Sequence, residues 1–181
     1  MRYKKSYFSE YHKNLFKDRP INLIGNGPSL NINVLENISK LDPIFVSNGF
    51  LSKKLDVDLA PLFYFIADPD YANNPSGHDY DDHTFDQIKN NIIKYTPYTS
   101  IVTSSDMFHA FQKNLANHSG SNQQSLRFLI SDFRGGSPLG DFDFDVAKGF
   151  ENYQNILVLM LQVAIFMGSK RINLYGFDFT N

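Results

Sequence analysis

Pro20-Ile21-Asn22-Leu23-Ile24-Gly25-Asn26-Gly27-Pro28-Ser29-Leu30 is the stretch on which the fold turns. Ile21 to Ile24 is a short run that suits a buried strand, and Gly25-Asn26-Gly27-Pro28-Ser29 breaks it and starts a helix at once, with Ser29 placed as the N-cap. A turn of this kind leaves backbone N–H groups pointing outward. Its glycines admit close approach, and a helix N-terminus carries partial positive charge, so a phosphate or another anion is an expected occupant. The third glycine of a Gly-x-Gly-x-x-Gly fingerprint is missing, as is the Lys-Ser or Lys-Thr of a P-loop. A strand-to-helix turn without a ligand therefore stays open as the alternative.

The pattern repeats outward from this stretch. Pro43 to Ser47 reads as a second strand ended by Asn48-Gly49, residues that tolerate positive φ. Leu62 to Ala67 reads as a third, closed by Asp68-Pro69, with further strands at Ser100–Ser104, Leu126–Ile130 and Ile172–Gly176. Helices are expected over Leu30–Ile38, over Phe85–Tyr95, from Ser105-Asp106 through the stripe Met107, Phe108, Phe111, Leu115, and over Phe150–Phe166, the last ended by Gly168. Asp70 to His83 is polar and turn-rich, a lid or a surface excursion; His118–Gln124 and Arg134–Asp145 read as loops. Strands that are apolar on both faces and alternate with helices predict an α/β fold: a doubly wound, mainly parallel sheet with helices on both faces, Rossmann-like. Ligands in such sheets bind beyond the carboxyl ends of the strands. The turns after the first, second, third and last of these strands form one candidate cleft.

The 181 residues suit one domain, read as residues 20–181, a single nucleotide-binding α/β domain, preceded by an amphipathic extension over 1–19. In that extension Phe8, Tyr11, Leu15 and Phe16 fall near helical spacing, predicting a short helix over Ser6–Phe16. With 17 Lys and Arg against 19 Asp and Glu, the chain offers no nucleic-acid footprint. It has no cysteine, which excludes disulfides, thiolate metal sites and a cysteine nucleophile. No basic-then-apolar leader is visible, and the run Ile156 to Met167 is too short to span a bilayer. We therefore expect a cytoplasmic protein with no transmembrane segment, and leave open peripheral membrane association through a partner and homo-oligomerisation.

Gly25-Asn26-Gly27-Pro28-Ser29-Leu30, Ser47-Asn48-Gly49-Phe50, Phe65-Ile66-Ala67-Asp68-Pro69 and Val163 to Gly168 leading into Ile172-Asn173-Leu174-Tyr175-Gly176-Phe177-Asp178-Phe179 follow one ordered pattern. That pattern resembles the bacterial sialyltransferases of the Campylobacter type. It equally resembles the broader domain shared by archaeal hydroxymethylpterin pyrophosphokinases and flagellin-modifying transferases. The sialyltransferase resemblance implies a glycosyltransferase that takes a nucleotide-sugar donor, CMP-linked and of the sialic acid type, and a glycan acceptor in surface polysaccharide or glycoconjugate synthesis, with neither metal nor cofactor. Carried over by position, it implies that Gly25, Asn26, Gly27 and Ser29 line the phosphate and ribose, that Asn48 bonds the phosphate or sugar, and that Asp178 bonds the nucleotide.

The chain departs from that family in three places. Asp68-Pro69-Asp70 stands where the family has Asn-Pro-Ser, and Glu151-Asn152-Tyr153 where it has Thr-Ser-Gly. The family's histidine base lies beyond the Gly-x-Asp-Phe strand, whereas this sequence ends at Asn181. The expectation is a domain truncated at its C-terminus or one that lacks the base, so no catalytic residue is assigned. The pyrophosphokinase resemblance implies instead ATP and Mg²⁺, with Asp68, Asp70 and Asp178 as hard oxygen ligands. A non-catalytic nucleotide-binding module is the third alternative.

Other candidates read as bland. Asp141, Asp143 and Asp145 alternate with Phe142 and Phe144 but lack the glycine and distal glutamate of a calcium loop. His78 and His83 suit an exposed loop, His109 a helix and His118 a loop, and Arg134 beside Gly135-Gly136 suits an anion through its guanidinium fork.

Overall fold

A computed structural model describes residues 3–38, 40–52, 59–67, 90, 92, 98–117, 126–134, 145–151 and 155–178. Seven of its strands form one sheet in the spatial order β1-β6-β5-β4-β3-β2-β9, every neighbouring pair parallel. They are β1 (Tyr3–Tyr7), β2 (Pro20–Ile24), β3 (Ile44–Ser47), β4 (Phe63–Phe65), β5 (Ser100–Thr103), β6 (Leu126–Ile130) and β9 (Arg171–Tyr175). Two short strands, β7 (Phe133–Arg134) and β8 (Phe150–Glu151), pair separately. The doubly wound Rossmann-like α/β fold expected from the alternating pattern is the one observed.

Parallel strands need helices on both faces, and the side-chain alternation of the central strands supplies two cores. On one face Ile24, Val46, Tyr64, Ile101 and Phe128 pack with Leu35 of α1 (Ile32–Glu36) and with Met107, Phe108 and Phe111 of α2 (Ser105–Asn117). On the other, Leu23, Phe45, Phe65 and Val102 pack with Leu159, Met160 and Val163 of α3 (Ile156–Phe166). Edge-on aromatic pairs lock both layers, with Phe108–Phe128 centroids 5.0 Å apart on the first face and Phe8–Phe150 centroids 5.8 Å apart on the second. No helix of the described residues is long and apolar enough to cross a membrane.

Several elements differ from expectation. In place of a helix over Ser6–Phe16, β1 runs over Tyr3–Tyr7 and a single 3₁₀ turn over Glu10–His12. Phe8, four per cent exposed, meets Phe150 and Phe166 instead of a helical stripe. Long-range pairing with β6 wins over a weak local periodicity there. The helix after the first turn starts later than Ser29: Asn31 is its N-cap, accepting from Val34 N–H at 3.1 Å. The long helix starts at Ile156, not Phe150, because Phe150–Glu151 is drawn into pairing with Phe133–Arg134 and Asn155 caps Leu157 N–H at 2.8 Å. Gly168 ends it as expected, at φ +80°, where a Cβ would stand 2.7 Å from Asn14 Oδ1. Of the helix expected over Phe85–Tyr95, Asn90 and Ile92 are helical and the rest lies outside the described residues.

Candidate functional site

The chain runs outward from β2 through β3, β4, β5 and β6, then returns with β9 to the opposite side of β2. The order of winding therefore reverses between β2 and β9, and there a doubly wound sheet opens a crevice beyond its carboxyl ends. Strands β4, β3, β2 and β9 are consecutive and parallel, so the turns that follow them share one rim. Asn48, Gly25 to Ser29 and Asp178 stand at the ends of three adjacent strands. Asp68, with Asp70, lies outside the described residues.

The β2 and β9 turns are built against each other. Parallel pairing carries Ile24 opposite Tyr175, and the ladder continues past the strand ends: Gly25 N–H donates to Tyr175 O and Gly27 N–H to Gly176 O, both at 2.8 Å. Next along the turn, Ser29 N–H donates to Asp178 Oδ2 at 2.8 Å. Pro28 has no N–H, so three of the turn's amides expected to face an anion donate within the chain instead.

The glycines follow from this contact. A Cβ on Gly25 would stand 2.9 Å from the Phe177 ring, and one on Gly27 would stand 2.7 Å from Gly176 O and meet the Asp178 carboxylate. What approaches the glycines closely is the β9 turn itself. Gly176 in turn adopts φ +65°, and a Cβ there would press 2.9 Å from Leu30 Cβ. Gly25 is buried, Gly27 half-buried, and Asn26, Ser29 and Asp178 are exposed on the rim.

The β3 end contributes differently. Asn48 adopts φ +43°, a conformation that asparagine tolerates better than most side chains, and opens a 3₁₀ turn over Asn48–Ser52. The hydroxyl of Tyr64, wholly buried in β4, donates to the Asn48 carbonyl and holds that backbone in place. Asn48 Oδ1 is buried and without a hydrogen-bond partner, as is Oγ of the neighbouring Ser47, which is 1% exposed. Unpaired buried polar atoms are rare and costly, and they mark positions built for something other than packing. Asn22 and Asn173, side by side on β2 and β9, join their amides at 2.8 Å two residues before the end of β2.

Sequence reading places Ser47 in the polar turn after the second strand without giving it a role, and passes over Tyr64. The lone hydroxyl in the run Phe63-Tyr64-Phe65 was the available signal, since a buried tyrosine O–H needs an acceptor. Among the remaining candidates, Asp145 accepts from Ala147 N–H at 3.2 Å and pairs with Lys148 at 3.1 Å, a turn-forming role. His109 is exposed and stands edge-on to Phe108 on α2. Asp141, Asp143, His78, His83 and His118 lie outside the described residues, and of Arg134 only the backbone, in β7, is described. No group of three or more acidic or histidine side chains gathers among the described residues.

No protein-family model matches the chain, and no curated protein matches it. Its fold is similar to the solved structure of a MAf glycosyltransferase from Magnetospirillum magneticum AMB-1, with a TM-score of 0.50 and 12% identity. The match covers 95% of this chain and 28% of that one, so the chain spans less than a third of that protein's length. At this identity the likeness establishes a shared α/β architecture.

Proposed function

We propose that the protein is a glycosyltransferase-like domain that binds a nucleotide-activated sugar, CMP-linked and of the sialic acid type, in the crevice between the ends of β9, β2 and β3. The observation that carries the proposal is the buried, unpartnered Asn48 Oδ1 standing on the same rim as Asn26 and Asp178, at the point where the winding reverses. The fold neighbour is a glycosyltransferase, which agrees with it. So does the resemblance of its ordered turns to those of the sialyltransferases.

In the proposed reaction an acceptor hydroxyl attacks the anomeric carbon. The new bond forms to the acceptor oxygen, the bond to the donor's phosphate oxygen breaks, the nucleotide leaves with the electron pair, and the acceptor proton passes to a base. The donor-side polar groups, Asn26, Asn48 and Asp178, hold and orient the nucleotide-sugar. No described residue is assigned to acceptor binding or to the base.

Titration calorimetry tests this. CMP and a CMP-sugar bind, with or without a chelator present, and Asn48→Ala weakens the binding at least tenfold while far-UV circular dichroism stays unchanged. If CMP fails to bind while UDP or GDP binds well, the donor assignment is wrong. Binding of ATP that vanishes with a chelator would point to the Mg²⁺-dependent pyrophosphokinase chemistry instead.

A further inference from the structure

The two ends of the sheet differ in charge. Its strands all run the same way, so residues that precede them gather at one end and the rim turns at the other. At the rim, the first exposed charges beyond β5, β6 and β9 are Asp106, Asp132 and Asp178, while Lys148 is tied to Asp145 at 3.1 Å.

The amino end is the reverse. Six of the 17 basic residues fall before Pro20, with two of the 19 acidic ones, so the leading segment is cationic. The fold brings the end of that segment against the starts of β2, β3 and β9. Phe16 N–H donates to Met167 O at 2.8 Å, Ser169 Oγ stands 2.9 Å from Arg19 O, and the Arg19 guanidinium donates to Leu41 O. These contacts join three segments and leave Lys17, Arg19, Lys170 and Arg171 exposed at one end. Asp18, tied to Lys170 at 2.6 Å, and the half-buried Asp42 offset part of that charge.

Large apolar side chains stand among these cations. Leu41 is 84% and Leu15 53% exposed, more than any other described leucine. Asn14 N–H and Phe16 N–H bond Phe166 O and Met167 O, which sets the Leu15 backbone against the last turn of α3, where Ile165 is exposed. Further along the same end, the exposed Tyr98, before β5, has the Arg127 guanidinium 5.7 Å from its ring centroid.

A single exposed leucine means little. Leucines among cations, on a molecule whose opposite end is acidic, fit a surface that is anionic outside and apolar beneath. Nucleic acid would take the cations and leave the leucines in water. Lipid headgroups take the cations, and the acyl boundary below them takes the leucines and the tyrosine ring.

We infer that the amino end of the sheet docks on an anionic lipid membrane. The acidic rim then faces away from the bilayer. The inference does not depend on what the crevice binds.

The experiment is co-sedimentation of the full chain with vesicles of phosphatidylcholine, alone or with about one-third phosphatidylglycerol. Anionic vesicles bind it at least tenfold more tightly than neutral ones at low salt, and about 0.5 M salt removes most of that preference. Arg171→Gln weakens binding to anionic vesicles about fivefold, whereas Lys148→Gln, the same charge change at the acidic end, alters it less than twofold. Leu41→Ser and Leu15→Ser each weaken it at least threefold and leave any binding to duplex DNA unchanged. These side chains are exposed, and thermal midpoints check the fold; if Leu15→Ser lowers the midpoint, Leu41→Ser alone is read. Equal binding to both kinds of vesicle, or binding to neither, overturns the inference. So do equal effects of Arg171→Gln and Lys148→Gln. Binding that is indifferent to Leu41→Ser also overturns it and marks a site for a soluble polyanion such as duplex DNA.

Discussion

Gly27→Ala is the perturbation that most directly probes how the crevice is built. The added Cβ would lie 2.7 Å from the Gly176 carbonyl and 3.1 Å from Asp178 Cγ. A backbone carbonyl cannot swing aside as a side chain can, so the β9 turn must withdraw. Withdrawal breaks the bond from Gly27 N–H to Gly176 O and the one from Ser29 N–H to Asp178. A neutral bond contributes about 1 kcal/mol, and the charge-assisted one, on an exposed carboxylate, about 1.5 kcal/mol. Alanine also restricts the unfolded chain, which offsets roughly 0.5 kcal/mol. The net loss is about 2 kcal/mol. With a urea m-value of about 2 kcal/mol/M, the unfolding midpoint falls by about 1 M at constant m. In an Asp178→Ala background the same substitution costs about 1.5 kcal/mol less, because the charge-assisted bond is already gone and the sites are coupled. A midpoint lowered by less than about 0.2 M, or full additivity with Asp178→Ala, would refute the claim that the two turns are packed against each other.

Two further outcomes follow from the same geometry. Asn31→Ala and Asn155→Ala each remove a capping oxygen, from α1 and α3. Each lowers stability by about 1 kcal/mol in chemical unfolding, and Ser29→Ala, which caps no helix, leaves it within about 0.5 kcal/mol. The hydrogen bond from Lys170, with help from the charges of Lys170 and Lys17, holds the Asp18 carboxyl below its ordinary value of 3.8. Because the folded-state value is depressed, its stabilising effect is present above the unfolded value and is lost as pH falls through the folded one. Asp18→Asn, which tolerates the φ of +69° found there, therefore lowers the melting temperature slightly at neutral pH, and the difference from wild type closes as the pH falls through the depressed folded-state value. A difference that is the same at neutral pH and in acid, with the carboxyl protonated, would show that the ion pair does not contribute.

Local features that depend on a few neighbouring residues were legible in the sequence. The apolar runs became strands within a residue or two of their expected bounds, buried at β2, β3 and β6 and half-exposed at the edge strand β9; Asn48 took positive φ, and Gly168 ended α3. The candidate rim was legible too, since in a parallel sheet the turns after consecutive strands fall on the same side. Less legible were the elements whose local signals are weak and whose structure is set by distant partners. Tyr3–Tyr7 became an edge strand because β6 offered an unpaired edge, and Phe150–Glu151 left the long helix to pair with Phe133–Arg134.

By itself the sequence determined the fold class, because strands apolar on both faces and alternating with helices have few other ways to bury themselves. It also determined where left-handed backbone is tolerated, which is a property of single residues. Tertiary structure alone decided that β9 returns to the side of β2. This choice brings Asp178 onto Ser29 N–H across 149 residues of chain and leaves Ser47 and Asn48 beside them with unpaired acceptors. Hydrogen bonds between remote segments depend on strand order and register, and no short stretch of side chains encodes those alone.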